Sequence, residues 1–482
     1  MSLHWIDFSI FIIYLIAMLG VGVYFMKKNN SDDDYYVGGR GMSASHVGLS
    51  VVATDVGGGF SIGLGGLGFL MGLSGSWMLF TGLIGAWLSV VFLIPKIYPI
   101  AKKHHFLSFP DTLKFHYNSN VAKIAGLISL IGYIGFTSSQ ILAGAKLASA
   151  TFPEISINNA VIMMGVIAVI YTVLGGIKAV IYTDTVQWIL LLGGLIFIGI
   201  PLGYNAIGGW EAIDSTLPAS YTSLTNLTWQ DTVNWVITIV PIWFVGMTLY
   251  QRIYACKDEK TAKKAWKVAG LFEYPFMAFM GVLLGLFAKV AFEQGMFTSL
   301  GYAPGSDIDA ELGLPLFLRS ILPVGLMGLM MVAYFSAIMS TADSCLMAAS
   351  GNLTNDILDK KEADQNKGLG QSIRFSQIVT LAIGILAILL ATMMNEVLEL
   401  MLYSYAFMVS GLFVPVLGML FVKNPSPFAA IVAMIGGGLT TLTLLVLSAP
   451  IPFGLDANIV GISVSAISFV TVQQYVKRKT HQ

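Results

Sequence analysis

Charged side chains are scarce in this chain. Asp, Glu, Lys and Arg make up 11% of its 482 residues, against 56% hydrophobic. A soluble domain carries about 25% charged residues. So few charges cannot cover a water-facing surface of this size, and lipid must be the solvent for much of the outside. The charges present balance, 26 basic against 26 acidic, which leaves no electrostatic footprint for a nucleic-acid partner. Cysteine is reduced to Cys256 and Cys345, too few for a disulfide framework or a metal motif. The histidines are His4, His46, His104, His105, His116 and His481, and none lies in the middle of an apolar run. A membrane enzyme would need a converging nucleophile and base or a metal cluster, so catalysis is not expected. The stretch 6–26 lacks a small-residue cleavage site behind a short apolar core and reads as a retained first helix. No separate soluble domain is visible. The longest polar connections, 205–228 and 294–313, have room only for a lid.

What the chain does have is glycine, at 51 residues, and apolar runs. Glycine suits close helix–helix approach in a bilayer. The runs are 5–26, 44–69, 74–95, 121–150, 157–177, 181–204, 229–253, 265–293, 314–350, 371–393, 396–420, 425–447 and 455–476. Each can cross ~30 Å of hydrocarbon at about 1.5 Å per helical residue. Positive residues collect on the cytoplasmic side of a membrane protein. Here they follow the odd-numbered runs: Lys27, Lys28 and Arg40; Lys96, Lys102, Lys103 and Lys114; Lys178; Arg252, Lys257, Lys260, Lys263 and Lys264; Lys360, Lys361 and Lys367; Lys423; and Lys477, Arg478 and Lys479. The connection after the eighth run carries Asp307, Asp309 and Glu311 instead. The expectation is an all-α integral membrane protein with about thirteen transmembrane helices, N-terminus outside and C-terminus cytoplasmic. Its place is the plasma membrane, in a bacterium the inner membrane.

Two runs contain features that a plain span does not need. The second has Gly57, Gly58 and Gly59 in mid-membrane beside Asp55. Glycines disfavour a continuous helix, and freed carbonyls in a bilayer must find partners. Transporters use such breaks to present carbonyls to cations, although membrane glycines also serve close packing. The ninth run carries Ala337, Ser340, Thr341, Asp343 and Ser344 in SAIMSTADSC. Helical spacing brings Ala337, Ser340, Thr341 and Ser344 near one face. Hydroxyls and carbonyls suit a hard monovalent cation, yet Ser and Thr also bond back to the preceding turn without any ion. Asp55, Asp184 and Asp343 lie in or at the edge of the membrane, where a charge costs at least ~2.5–3.5 kcal/mol. Each is a functional candidate, with Asp184 serving equally well as a helix N-cap. Glu273 in the eighth run is a further candidate. Lys146 and Lys289 are expected to snorkel outward from their helix ends.

With these residues in view, the chain resembles the sodium:solute symporter family, and in particular its sodium/proline and high-affinity choline branches. The resemblance rests on DDYYVGGRGMS, ATDVGGGF, LGGIKAVIYTDTVQ, LYQRIYACKD and FSAIMSTADSCLMAASGNLTNDI, in that order over about 5–420. It implies one transmembrane domain over 1–482 of the leucine-transporter type, built from inverted five-helix repeats at 44–204 and 229–420. An extra helix, 5–26, precedes the repeats and two more, 425–476, follow them. It also implies Na+ as coupling ion, held by the carbonyls of Ala53, Val56 and Ala337 and the hydroxyls of Ser340 and Thr341. A second sodium site or coupling site would fall on Asp55, Asp184, Ser340, Asp343 and Ser344. Asp343 stands where the best-known two-sodium pattern has a serine.

The substrate is expected beside the broken helices at the midplane. Candidate lining residues are Gly57, Gly58, Phe60, Trp77, Phe80, Tyr133, Phe136, Gln140, Trp243, Phe244, Tyr403 and Met408; for any one aromatic among them, packing is the blander role. Relatives that transport sugars have glutamine at the place of Phe60, which argues against sugars. The choline branch has tryptophan at the place of Asp55. The function expected is therefore sodium-coupled symport of a small organic solute, an amino acid or other zwitterion favoured, into the cell by alternating access. The alternatives are a proton-coupled symporter or a uniporter of an organic cation or carboxylate, and, further off, a transporter-like sensor. Partners are the small-molecule substrate, sodium and membrane lipid, with no nucleic acid.

Overall fold

The computed structural model describes residues 4–26, 37–55, 57–152, 154–358 and 369–480. Val56 lies outside them, as do the side chains of Asp55 and Phe60 and the surroundings of Gly58. Regular structure among the described residues is helical, as lipid requires, because a helix satisfies its own backbone donors and acceptors. Among the described residues nine helices are long and apolar enough to cross a membrane, and one bent pair adds a tenth. Shorter apolar helices at Trp5–Met18, Ala44–Thr54 and Ile157–Val173 account for the remaining expected runs.

The first half of the chain comprises α1 (Trp5–Met26), α2 (Ala44–Asp55), α3 (Gly57–Met71), α4 (Trp77–Phe92), α5 (Ile94–His104), α6 (Phe109–His116), α7 (Ser119–Thr151) and α8 (Ile157–Gly194). A single π turn, Leu195–Gly199, carries α8 on into α9 (Ile200–Ile207), which α10 (Gly209–Thr216) follows. The second half comprises α11 (Trp229–Val245), α12 (Met247–Ala255), α13 (Glu259–Leu271), α14 (Ala278–Glu293), α15 (Ala310–Ile321), α16 (Leu326–Gly351), α17 (Leu369–Ala391), α18 (Val397–Phe421), α19 (Pro427–Val446) and α20 (Ala457–Thr480). Polar caps mark where chains leave the apolar layer. Asn118 accepts from Val121 N–H, and Thr228 forms a reciprocal capping box with Asp231.

Two boundaries differ from expectation. The helix end expected near residue 177 is absent, and α8 runs unbroken from Ile157 to Gly194. Gly175 and Gly176 each cost a helix about 1 kcal/mol, a preference that packing against α1, α7, α16 and α17 overrides. Conversely, the seventh run is bent by 44° between α11 and α12, with Gly246 in an extended conformation at the bend.

The core is α16. In its most apolar stretch 94% of residues are buried, against 22% for α20, which places α16 at the centre and α20 at the rim. It packs on α1, α2, α3, α7, α8 and α17. Its N-terminus has no cap of its own. The buried Asp7 of α1 supplies one, accepting from the N–H groups of Gly325 and Gly328 at 2.7 Å each. Beside it α3 and α14 meet backbone to backbone: a Cβ on Gly285 would lie 2.0 Å from the Gly65 carbonyl oxygen. Only glycine permits that approach.

Candidate functional site

The second run is broken where the glycine triplet begins. Helix α2 ends at Asp55 and α3 starts at Gly57. Ending α2 there leaves its last carbonyls without helical partners. One of them, Ala53 O, accepts the Thr341 hydroxyl of α16 at 2.8 Å, and the same hydroxyl lies 3.3 Å from Ala337 O. Gly57 has a φ of +43°, and a Cβ there would sit 2.0 Å from Thr341 Oγ1. The break is thus pressed directly onto the hydroxyl that bridges it to α16. Three expected residues, Ala53, Ala337 and Thr341, come together as an oxygen-only cluster, a donor set that fits a hard monovalent cation.

Ser340 turns to another partner. Its hydroxyl donates to Oδ1 of the fully buried Asp184 on α8, while Ser50 of α2 donates to Oδ2 at 2.5 Å. Asp184 is therefore not a helix cap but the hub of an interhelical network. The network includes a residue that the charge pattern counted among the cytoplasmic positives at the end of the seventh run. Arg252 of α12 is fully buried, with its Nη2 3.4 Å from Asp184 Oδ2. The same nitrogen donates to Ser344 Oγ at 2.9 Å and to Thr54 Oγ1. Nε donates to Ser50 Oγ at 3.0 Å, and Nη1 to the Thr248 carbonyl at 3.2 Å. The Asp343 carboxylate of α16 accepts from Thr172 of α8.

The candidate lining residues separate into groups. Tyr133, Phe136 and Gln140 are buried along α7. Tyr133 shares a hydrogen bond of 3.1 Å with the Thr248 hydroxyl just past the α11–α12 bend. Phe136 packs edge-on against Tyr405 of α18, centroids 5.0 Å apart, and Gln140 reaches the Ser139 hydroxyl at 3.3 Å. Met408 of α18 is buried against Gly132. Trp77 and Phe80 form a separate cluster with Tyr274, and the Trp77 indole donates to the Leu224 carbonyl in the 205–228 connection. Trp243 is buried between Trp266 and Gly85, and Phe244 stacks edge-on with Phe413. Tyr403 lies away from these, half-exposed and donating to Glu399 in a cavity of about 590 Å³. Glu273 is buried where the π turn Phe272–Met277 meets Gly82 of α4.

Lys146 does not snorkel outward. It is buried, 2.5 Å from Asp309 and 2.7 Å from Glu311, with Glu396 at 3.9 Å. Three carboxylates within 4.8 Å of one another draw the ammonium inward, because an acid cluster in a low dielectric needs a counter-charge. Lys289 stays near its helix end, paired with Glu293 at 2.8 Å. Thr54 and Ser50 have no role in the sequence reading, and Arg252 and Glu311 enter it only as charges of the connections. The signal that marks Arg252 is its place inside the apolar YQRIYAC segment, before the lysines begin.

A family model described as the sodium:solute symporter family matches residues 35–437. The osmoregulated proline transporter of Bacillus subtilis (strain 168) is 26% identical, over 97% of this chain and 94% of the relative. The sodium/glucose cotransporter of Vibrio parahaemolyticus is 26% identical, over 94% and 87%, and the sodium/pantothenate symporter of Escherichia coli (strain K12) 24%, over 90% and 89%. Among solved structures, a Na+-coupled sialic acid symporter in a substrate-bound outward-open state superposes with a TM-score of 0.79 at 22% identity, covering 98% of each chain. Mhp1, a nucleobase-cation-symport-1 family transporter, superposes in its closed conformation with 0.56 at 12%, over 94% of this chain and 96% of Mhp1. These superpositions establish the leucine-transporter-type fold. With the family model matched over most of its length, this multi-pass membrane protein belongs to the sodium:solute symporter family.

Proposed function

We propose that the protein imports a small zwitterionic solute, an amino acid in the first instance, together with sodium. The sodium ion would lie between the Ala53 and Ala337 carbonyls and the Thr341 hydroxyl, with Val56 adding a carbonyl. The observation that carries the reading is the Thr341–Ala53 contact across the helix break. In an ion-free chain the hydroxyl donates to the carbonyl; with sodium present, both oxygens turn their lone pairs to the ion. Proline and pantothenate, named for relatives, favour a compact substrate bearing a carboxylate. Tyr133, Phe136 and Gln140, buried along α7, would offer aromatic faces and one amide to a small occupant with one polar end.

Sodium entering from outside would stabilise the outward-open state and complete the substrate site. Substrate would in turn tighten sodium, because coupling free energy is reciprocal. The membrane potential adds ~2.3 kcal/mol per charge per 100 mV to the driving force. The distribution of Lys and Arg supports an N-terminus outside and a C-terminus in the cytoplasm.

The test is a thermal-shift screen of the purified protein in sodium or potassium buffer, across amino acids, quaternary amines, carboxylates and sugars. A ligand that stabilises only in sodium identifies substrate class and coupling together. Equal stabilisation in both salts refutes sodium coupling. Thr341→Ala removes one ion ligand, worth about 1.5 kcal/mol, so the sodium concentration for half-maximal uptake is expected to rise about tenfold. Ser340→Ala acts through Asp184 and is expected to shift it less. An unchanged sodium dependence in Thr341→Ala would relocate the site.

A further inference from the structure

The residues that would form a second sodium site, Asp184, Ser340 and Ser344, already surround a cation. Arg252 Nη2 lies among three oxygens from three helices: Thr54 Oγ1 of α2, Asp184 Oδ2 of α8 and Ser344 Oγ of α16. A sodium ion needs such a convergence of oxygens; here one nitrogen takes it. The remaining valences are also used. Asp184 Oδ2 accepts from Ser50 as well as from Arg252, and Oδ1 accepts from Ser340. One carboxylate and one guanidinium, both fully buried, are neutral together. An added sodium at these oxygens would lie against the guanidinium, cation beside cation in a low-dielectric interior, which is costly. Asp343, the acid of α16, accepts from Thr172 of α8. The residues present do not fit a second ion.

We propose that the Arg252 guanidinium is the resident cation of this site, standing in place of a second sodium ion, so that the transporter binds a single sodium, at the Ala53–Ala337–Thr341 cluster. This rests on the sodium-coupled reading above. It assigns Arg252 a role in fixing coupling stoichiometry and makes the pair with Asp184 a tie between α12, beyond the Gly246 bend, and α2, α8 and α16.

The experiment is equilibrium binding of radioactive sodium to the purified full-length protein, read as ions per chain. Wild type is expected to bind one ion, and Thr341→Ala to weaken it. Arg252→Gln leaves Asp184 without its counter-charge and opens the three-oxygen cluster, so a second ion is expected. The double variant Arg252→Gln/Asp184→Asn should return to one. Arg252→Lys, which keeps the charge, should also bind one, and together with the wild-type count it carries the test if the glutamine variant does not fold. Two ions bound by wild type overturn the proposal while leaving sodium coupling intact. A folded Arg252→Gln that still binds one ion overturns it too, since the guanidinium is then not what keeps the second ion out. No sodium bound by wild type sinks the sodium-coupled reading itself, and this proposal with it.

Discussion

Gly57→Ala is expected to abolish sodium-dependent uptake while leaving a monodisperse, folded protein. Two effects combine at this position. The φ of +43° lies in the left-handed region, which costs a residue with a Cβ roughly 1–2 kcal/mol. The added Cβ would also fall 2.0 Å from Thr341 Oγ1 and 2.9 Å from Thr341 Cβ, so the α2–α3 break must move off α16. That movement separates Ala53 O from the Thr341 hydroxyl, now 2.8 Å away. A displacement of about 1 Å in a binding constellation can cost on the order of a hundredfold in function. The effect of Gly57→Ala is therefore expected to exceed that of Thr341→Ala, which removes a ligand but leaves the break in place. Gly193→Ala is the control: nothing lies within 4 Å of a Cβ there, and uptake should be unchanged. Initial uptake rates against sodium concentration decide the matter. A wild-type sodium curve in Gly57→Ala would show that the break plays no part in the ion site.

That half of the candidate site was legible because its signals are local. Three consecutive glycines announce a break within one run, and the spacing of Ala337, Ser340 and Thr341 places oxygens on one helix face. The fold class was legible for a similar reason, since apolar runs and alternating basic connections are properties of short stretches. The Arg252–Asp184 pair was not, because its members are far apart in sequence and each has an innocent local reading. Arg252 precedes a run of lysines and passes for a loop residue; Asp184 follows Thr183 and passes for a cap. Only the packing of α2, α8, α12 and α16 brings them together. The bend at Gly246 escaped notice because a single glycine is common in membrane helices, unlike a triplet. Lys146 looked like a helix-end residue until α15 and the start of α18 delivered Asp309, Glu311 and Glu396 around it.

Lys146→Met is expected to produce the largest loss of stability among single substitutions outside the ion site. The ammonium lies 2.5 Å from Asp309 and 2.7 Å from Glu311. Glu311 also accepts from the N–H groups of Val397 and Leu398 at 2.8 and 2.9 Å, so it ties Lys146 of α7 and its own α15 to the N-terminus of α18. Removing one partner of a buried ion pair leaves the other charge uncompensated, at a cost of about 3–5 kcal/mol. Thermal unfolding in detergent measures the loss. Adding Glu311→Gln removes the stranded charge while keeping an acceptor for the α18 N-terminus, so the double variant should be more stable than Lys146→Met alone. That non-additivity is the signature of direct coupling; a double variant that simply sums two losses would mean that the ammonium and Glu311 act independently. The pH dependence gives a second check. Burial already holds the Glu396 carboxyl above its ordinary value, with Lys146 pulling the other way. Without Lys146 that opposing pull is lost, and the Glu396 carboxyl holds its proton more tightly when folded than when unfolded. A group whose folded pKa is raised in this way binds protons preferentially in the native state, so lowering the pH toward the carboxylate range stabilises it. The gap in melting temperature between Lys146→Met and wild type is therefore expected to narrow as the pH falls, whereas a loss caused by packing alone would leave it constant.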